Sequence, residues 1–192
     1  PELQQRDPGN RLLARGPRFR LQGEFIRDNA LALAGLLIDT VGGPGVKPYQ
    51  PPGLWNEVSL GGNVRFVADK GRKLYRRSMY TYWKRSSPQP AMLAFDTPSR
   101  EICTVQRQRT NTPMQALVTL NDVQFVEASR FLAQRVLKSS PQDLPSRVNR
   151  MFELATGRPA DSLRQEVIKK AYDKQKAVFD QNPAQADQLL AM

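Results

Sequence analysis

The chain has 192 residues, enough for one ordinary domain with its own core and too few for a second full one. One cysteine and no histidine exclude an intramolecular disulfide, a haem-attachment pair, a Cys/His zinc site and any triad or acid/base chemistry built on imidazole, so no metal site is expected. With 29 Lys and Arg against 18 Asp and Glu, the formal charge of +11 attracts polyanions (nucleic acid, sulfated or uronic polysaccharide, an anionic membrane surface) without choosing among them.

An apolar share of 40%, with 15 prolines and 12 glycines, predicts helices joined by extended loops. Residues 1–21 carry Arg6, Arg11, Arg15, Arg18 and Arg20 among Gly9, Gly16 and Pro17 and read as a basic extended lead-in. They have no basic n-region followed by an apolar h-region, so any targeting signal is expected outside the residues given. From Gln22 to Val41 the positions Phe25, Ile26, Ala30, Leu33, Ala34, Leu37, Ile38 and Val41 follow helical spacing, and Gly42-Gly43-Pro44 ends the pattern. This best apolar stretch contains Arg27, Asp28 and Asp39, far from the roughly 20 apolar residues of a membrane span. Residues 42–62 hold six glycines and four prolines and predict a long irregular loop pinned by Tyr49, Leu54 and Trp55.

Between Arg65 and Arg85 lies a basic aromatic segment. Arg65, Lys70, Arg72, Lys73, Arg76, Arg77, Lys84 and Arg85 are interleaved with Tyr75, Tyr80, Tyr82 and Trp83, and Asp69 is its one acid. Its aromatics favour a strand, with room for a short β-hairpin, while a short helix from Leu74 to Trp83 fits the spacing almost as well. Pro88, Pro90 and Pro98 make residues 86–100 a loop. Thr112-Pro113-Met114-Gln115 is a helix start with a capping residue, a first-position proline and a glutamine able to bond back, and Leu117, Val118 and Leu120 form the apolar side of that helix. Asn121-Asp122 restarts the backbone for a second helix to about Leu137, as a hairpin or a kink. Residues 146–156 predict a helix on Val148, Met151, Phe152 and Ala155, closed by Gly157 and Pro159. The last helix, from Asp161 to about Phe179, would turn Leu163, Val167, Ala171 and Val178 to the core and leave Lys169, Lys170, Lys174 and Lys176 in water.

Several strings together resemble one family: Arg27-Asp28, Gly42-Gly43-Pro44, Arg76-Arg77-Ser78-Met79-Tyr80-Thr81, Phe95-Asp96-Thr97-Pro98, Arg109-Thr110-Asn111-Thr112-Pro113, Gln115-Ala116-Leu117, Asn121-Asp122 and Thr156-Gly157-Arg158-Pro159. They are similar to the planctomycete-specific, cytochrome c-associated surface-protein domain of unknown function, over roughly residues 11–164. The resemblance implies a mainly α, irregular helical domain with long Gly/Pro-rich loops. Residues 22–192 would be the C-terminal portion of that domain, truncated relative to the family, so faces left open here would be covered in the longer protein. It also implies an extracytoplasmic setting, periplasmic or cell surface. Haem would sit only in a neighbouring module, with no cofactor in this chain. The partners expected are the remainder of the parent domain, the adjoining cytochrome-like module and an anionic polymer.

The residues singled out as a candidate ligand site are Arg76, Arg77, Tyr80, Asp96, Arg107, Arg109 and Asn111. Guanidinium groups pair bidentately with phosphate or sulfate, aromatic faces stack on bases or sugars, and Arg107 and Arg109 stand beside a helix N-terminus. The competing expectation is that Arg76 and Arg77 pair with acids of their own domain, and that Arg107 and Arg109 cap and bridge to Asp96 or Glu101. Asp28, Asp96 and Asp122 could serve glycoside hydrolysis only if two of them met at the required separation, and Cys103, with no base to activate it, is expected to be a small buried apolar residue. The leading reading is a non-catalytic structural or interaction module. Its rivals are a domain that binds or acts on acidic polysaccharide through Arg76, Arg77, Arg107, Arg109 and Asp96, and a nucleic-acid binder using the basic aromatic segment.

Overall fold

A computed structural model describes residues 2–16, 19–58, 65–139 and 143–191. The fold is mainly α. Among these residues the helices are α1 (Glu2–Arg6), α2 (Gly23–Ala34), α3 (Leu54–Glu57), α4 (Pro90–Ala94), α5 (Pro113–Asn121), α6 (Val123–Ser139), α7 (Leu144–Thr156), α8 (Ser162–Gln181) and α9 (Pro183–Leu190), with 3-10 turns at Gly71–Tyr75 and Ser78–Tyr80. The one-turn helix α1 interrupts the lead-in expected to be extended, and the Asp7 carboxylate gathers the next turn by accepting from Arg11 N and Leu12 N, both at 2.9 Å.

Helix α2 stops at Gly35, seven residues before the Gly-Gly-Pro expected to end it. Gly35 sits at φ 75°, and the Leu36 N–H turns back to Leu31 O at 2.9 Å, the left-handed closure that glycine makes without strain. Its buried face also differs from the expected apolar stripe. It runs through Gly23, Arg27, Asp28, Leu31 and Ala34, while Phe25 and Val41 are exposed. Two charged residues therefore lie on the core side, because the hydrogen bonds they make there reward their burial more than the apolar alternatives do.

Helix α6 is the central element, packed by α2, α5 and α7. Leu31 and Ala34 of α2, Phe125, Ala128 and Val136 of α6, and Val148 of α7 form the core, with Phe95 after α4 meeting Phe125 edge-on at 6.1 Å. Asp122 breaks the backbone between α5 and α6 in an extended conformation and accepts from Gln124 N at 3.0 Å, so the restart expected at Asn121-Asp122 is present. Pro113 opens α5 as expected, with Gln115 Oε1 accepting from Thr112 N at 3.3 Å. The only buried residue of α5 is Gln115, whereas Leu117 and Leu120 face outward. Helix α4 forms inside the stretch expected to be loop, since Pro90 suits a first helical position and Gln89 Oε1 caps Met92 N at 2.7 Å.

The basic aromatic segment is neither strand nor helix. Its 3-10 turns are tied by isolated bridges, Ile38 to Arg76 and Val46 to Thr81 in parallel and Lys84 to Ser87 antiparallel, and no β-hairpin forms among the described residues. Asp143 and Asp161 cap α7 and α8, and Gly157 at φ 70° ends α7. Helix α8 starts at its Asp161 cap as expected but has no buried residue: Leu163, Val167, Ala171 and Val178, expected in the core, are exposed, while the lysines stay in water as expected. Its main neighbours among the described residues are α7 at one end and α9 at the other.

A Cβ on Gly23 would collide with Thr97 Oγ1 and press on Phe95 Cβ at 3.1 Å and Met92 O at 3.3 Å. Gly23→Ala is expected to cost about 1–3 kcal/mol through overpacking of α2 against the α4 end, lowering the urea midpoint measured by circular dichroism.

Candidate functional site

Arg27 is the deepest charge in the fold, 5% exposed, and its guanidinium makes five hydrogen bonds. Nη1 donates to Arg76 O (2.9 Å) and Ser78 Oγ (3.1 Å), Nη2 to Leu74 O (2.6 Å) and Gln124 Oε1 (3.0 Å), and Nε to the same Gln124 oxygen (3.2 Å). Burial pulls its pKa down to about 10, opposed by the charges of Asp28, Asp122 and Glu127, so it is a cation at neutral pH. Next to it, Asp28 Oδ1 accepts from Ser78 N at 2.7 Å. The pair thus clamps both 3-10 turns onto α2.

The network continues through α6. Gln124 Nε2 donates to Glu127 Oε2 at 3.4 Å, and Glu127 Oε1 accepts from Tyr75 Oη (2.8 Å) and Tyr49 Oη (3.4 Å). Burial first, then the neighbouring Glu127, raises the pKa of both phenols above the ordinary tyrosine value, so both keep their protons. Burial likewise raises Asp122 against the bonds from Gln124 and Phe125 and the charge of Arg27. Sequence reading missed Gln124 and Glu127. Their signal was the placement of Arg27 and Asp28 on a helix face that also carries Leu31 and Ala34, which requires polar partners from a facing helix.

The residues singled out from sequence fall into two groups. In the first, Arg76 donates to the carbonyls of Pro44, Gly42 and Thr40 (3.3 Å for Thr40) and stacks at 4.0 Å over Tyr80, whose hydroxyl accepts from Gly42 N at 2.7 Å. Arg77 pairs with Asp39 at 3.1 Å and lies 3.7 Å from Asp28. In the second, Asp96 takes the left-handed conformation (φ 60°) that closes α4 and accepts from Thr110 N (2.7 Å) and Thr110 Oγ1 (2.8 Å). Arg107 pairs with Glu24 at 2.8 Å, in place of the Asp96 or Glu101 expected. Asn111 accepts from Arg20 Nη1 at 2.9 Å, and the exposed Arg109 stacks 5.6 Å from the Phe19 ring. Arg107 and Arg109 border an open polar groove of about 730 Å³ with Gln22 and the 104–108 segment.

The partners of the two groups differ throughout, so the structure does not bring Arg76 and Arg77 into one cleft with Asp96, Arg107 and Arg109. The three aspartates also have separate tasks: Asp28 holds Ser78, Asp96 holds Thr110 and Asp122 caps α6. Cys103, expected to be buried, is exposed, because the turns around Ile102 and Val105 stand clear of the core. No helix is long and apolar enough to cross a membrane, among the described residues.

Compared with known families, residues 1–172 match PSD1, described as a protein of unknown function (DUF1553). The chain belongs to the PSD1 family. No curated protein and no solved structure matches it. In this PSD1 chain several of the strings that carry the resemblance serve as internal ties: Arg27-Asp28 on α2, Arg76 to Ser78 beneath it, and Asp96, Thr110 and Gln115 where α4 meets α5, with Gln115 Nε2 donating to Thr110 Oγ1 at 3.1 Å.

Arg27→Met leaves the Leu74 and Arg76 carbonyls and Gln124 Oε1 without their buried donor. It is expected to destabilise by about 3–5 kcal/mol in urea unfolding, with Arg27→Lys recovering only part because an ammonium cannot span the same acceptors. A second expectation concerns alkaline pH. Tyr75 keeps its proton in the folded state above its ordinary 10.0, so its stabilising contribution is complete below that pH and is lost as pH rises beyond it. Arg27, depressed to about 10, works with the opposite sign in the same window, since the unfolded chain then holds the proton longer. Tyr75→Phe removes the first effect alone, so its urea midpoint should fall less between pH of about 9 and about 11 than that of the unaltered chain.

Proposed function

We propose that this chain is a non-catalytic structural or interaction module of an exported, cytochrome c-linked multidomain protein, working through its apolar helix faces. The observation that carries this reading is the uncovered apolar side of two helices. Met114, Leu117 and Leu120 of α5 and Leu163 and Val167 of α8 are between 54% and 72% exposed, although their spacing is that of helix faces meant for burial. The occupant that fits best is the remainder of the parent domain, with the cytochrome-like module adjoining it. Haem would belong to that module and the whole to the periplasm or cell surface. The engagement of Arg76, Asp96 and Arg107 with partners of their own domain supports the same reading, since side chains tied in this way hold the fold together.

Titrating this chain with the separately produced preceding part of its parent protein, by isothermal calorimetry, should give saturable binding. Leu117→Glu with Leu120→Glu, or Leu163→Glu with Val167→Glu, should weaken it by about tenfold or more with unchanged helical circular dichroism. Binding that ignores both double variants, or a hydrolytic activity of the chain lost with Asp96→Asn, would overturn the proposal.

A further inference from the structure

Three cations of the basic aromatic segment line one pocket, and the fold uses them differently. The pocket holds about 300 Å³ between Ile38, Thr40 and residues 42–46 on one side and Arg72, Lys73 and Arg76 on the other. Arg76 is buried and helps to build the wall. It donates to the carbonyls of Thr40, Gly42 and Pro44 and lies 4.0 Å over the Tyr80 ring. Arg72 and Lys73 are exposed and have no hydrogen bond or ion pair among the described residues. Asp69, the one acid of the segment, accepts instead from Lys47 N at 2.7 Å.

The walls narrow the ligand class. The surface they offer is almost wholly apolar, with Ile38, Pro44 and Val46 supplying its side chains and Gly42 and Gly43 leaving space where other residues would carry a Cβ. An apolar wall that includes Arg72 and Lys73 is made by their aliphatic stems, which leaves both charged heads in water at the rim. A peptide strand is disfavoured here. Adding one to the loop needs free main-chain acceptors, and Arg76 already holds the alternate carbonyls of residues 40, 42 and 44. The volume is at the small end of the range for small-ligand sites.

We propose that this pocket binds a small amphiphilic anion, its aliphatic tail lying against Ile38, Pro44 and Val46 and its acid head paired with Arg72 and Lys73. Burial of the tail supplies affinity that grows with its length, and the two rim cations select for negative charge. The site is separate from the apolar faces of α5 and α8, so it stands or falls independently of the module role.

The protein has four isoleucines, at 26, 38, 102 and 168, so its isoleucine methyl spectrum is simple to read. In 1H–13C spectra the Ile38 peak is assigned with Ile38→Val. Titration with octanoate should move that peak saturably while the Ile102 and Ile168 peaks stay in place. Hexanoate should bind about fifteenfold more weakly, at about fourfold per methylene. Octanamide, with the same tail and no charge, should bind about tenfold more weakly than octanoate. Arg72→Ala with Lys73→Ala should bring octanoate down to the affinity of octanamide without lowering Tm, since neither side chain has a partner to lose. Whichever of octanoate and octyl phosphate binds more tightly tells a carboxylate head from a phosphate. The proposal is overturned if neither of these two anions moves the Ile38 peak, if octanamide binds equally well, or if the double variant leaves octanoate affinity unchanged. It is also overturned if the Ile102 and Ile168 peaks move together with that of Ile38, which is general adsorption on apolar surface, or if an acetylated Asp-Leu-Glu peptide moves the Ile38 peak at lower concentration.

Discussion

A guanidinium can be buried at neutral pH only where all its N–H groups find acceptors, and Arg27 meets that condition by drawing on two distant parts of the chain at once. Two of its acceptors are backbone carbonyls of the irregular basic segment, which has no regular ladder to satisfy them. A third is Gln124 on α6. The same side chain therefore replaces the missing secondary structure of residues 71–80 and fixes the angle at which α2 meets α6. Asp28 completes the clamp from the other side by taking the Ser78 N–H. The polar interior beyond it, including the Gln124–Glu127–Tyr75 chain, exists because this cation is inside.

Positive charge is divided by residue type. The arginines at 27, 76, 77 and 107 spend their planar donors on carbonyls and carboxylates of their own domain, while the lysines of α8 stay in water and pair with acids one turn away, Lys169 with Asp173 and Lys176 with Asp180. That division comes from the chemistry of the two groups: a forked guanidinium matches paired oxygens, and an ammonium is a compact, strongly hydrated charge. The formal +11 is thus a poor guide to where a polyanion would dock. Much of it is structural, used in ties inside the domain.

The pattern of exposure has a matching logic. Helix periodicity alone places Leu117, Leu120, Leu163 and Val167 inside, and the tertiary structure leaves them exposed, α5 packing on α4 and α6 through its other side and α8 meeting mainly α7 and α9 among the described residues. An apolar face without a partner costs solvation free energy in proportion to its area, so it persists where something else is to cover it. In the reading we propose, that cover is the remainder of the parent domain.

Helix starts and stops were legible from sequence wherever the deciding chemistry is local: Thr112 and Pro113 at α5, Asp122 between α5 and α6, Asp161 at α8, and Gly157 at the end of α7. Caps and left-handed glycines act within a few residues, and the sequence by itself determined them. The mainly α class and the PSD1 resemblance were legible for the same reason, being carried by short strings. Which face each helix buries was decided only in three dimensions. Arg27 and Asp28 face inward because Leu74, Arg76, Ser78 and Gln124, about 50 to 100 residues away, arrive to bond them. Asp96 closes α4 because Thr110 and Gln115 reach it, and Trp55 is buried because Phe66, Lys47 and Lys84 converge on its ring. The free energy of a buried polar group depends on partners supplied by distant parts of the chain, and no local pattern records where those partners will be.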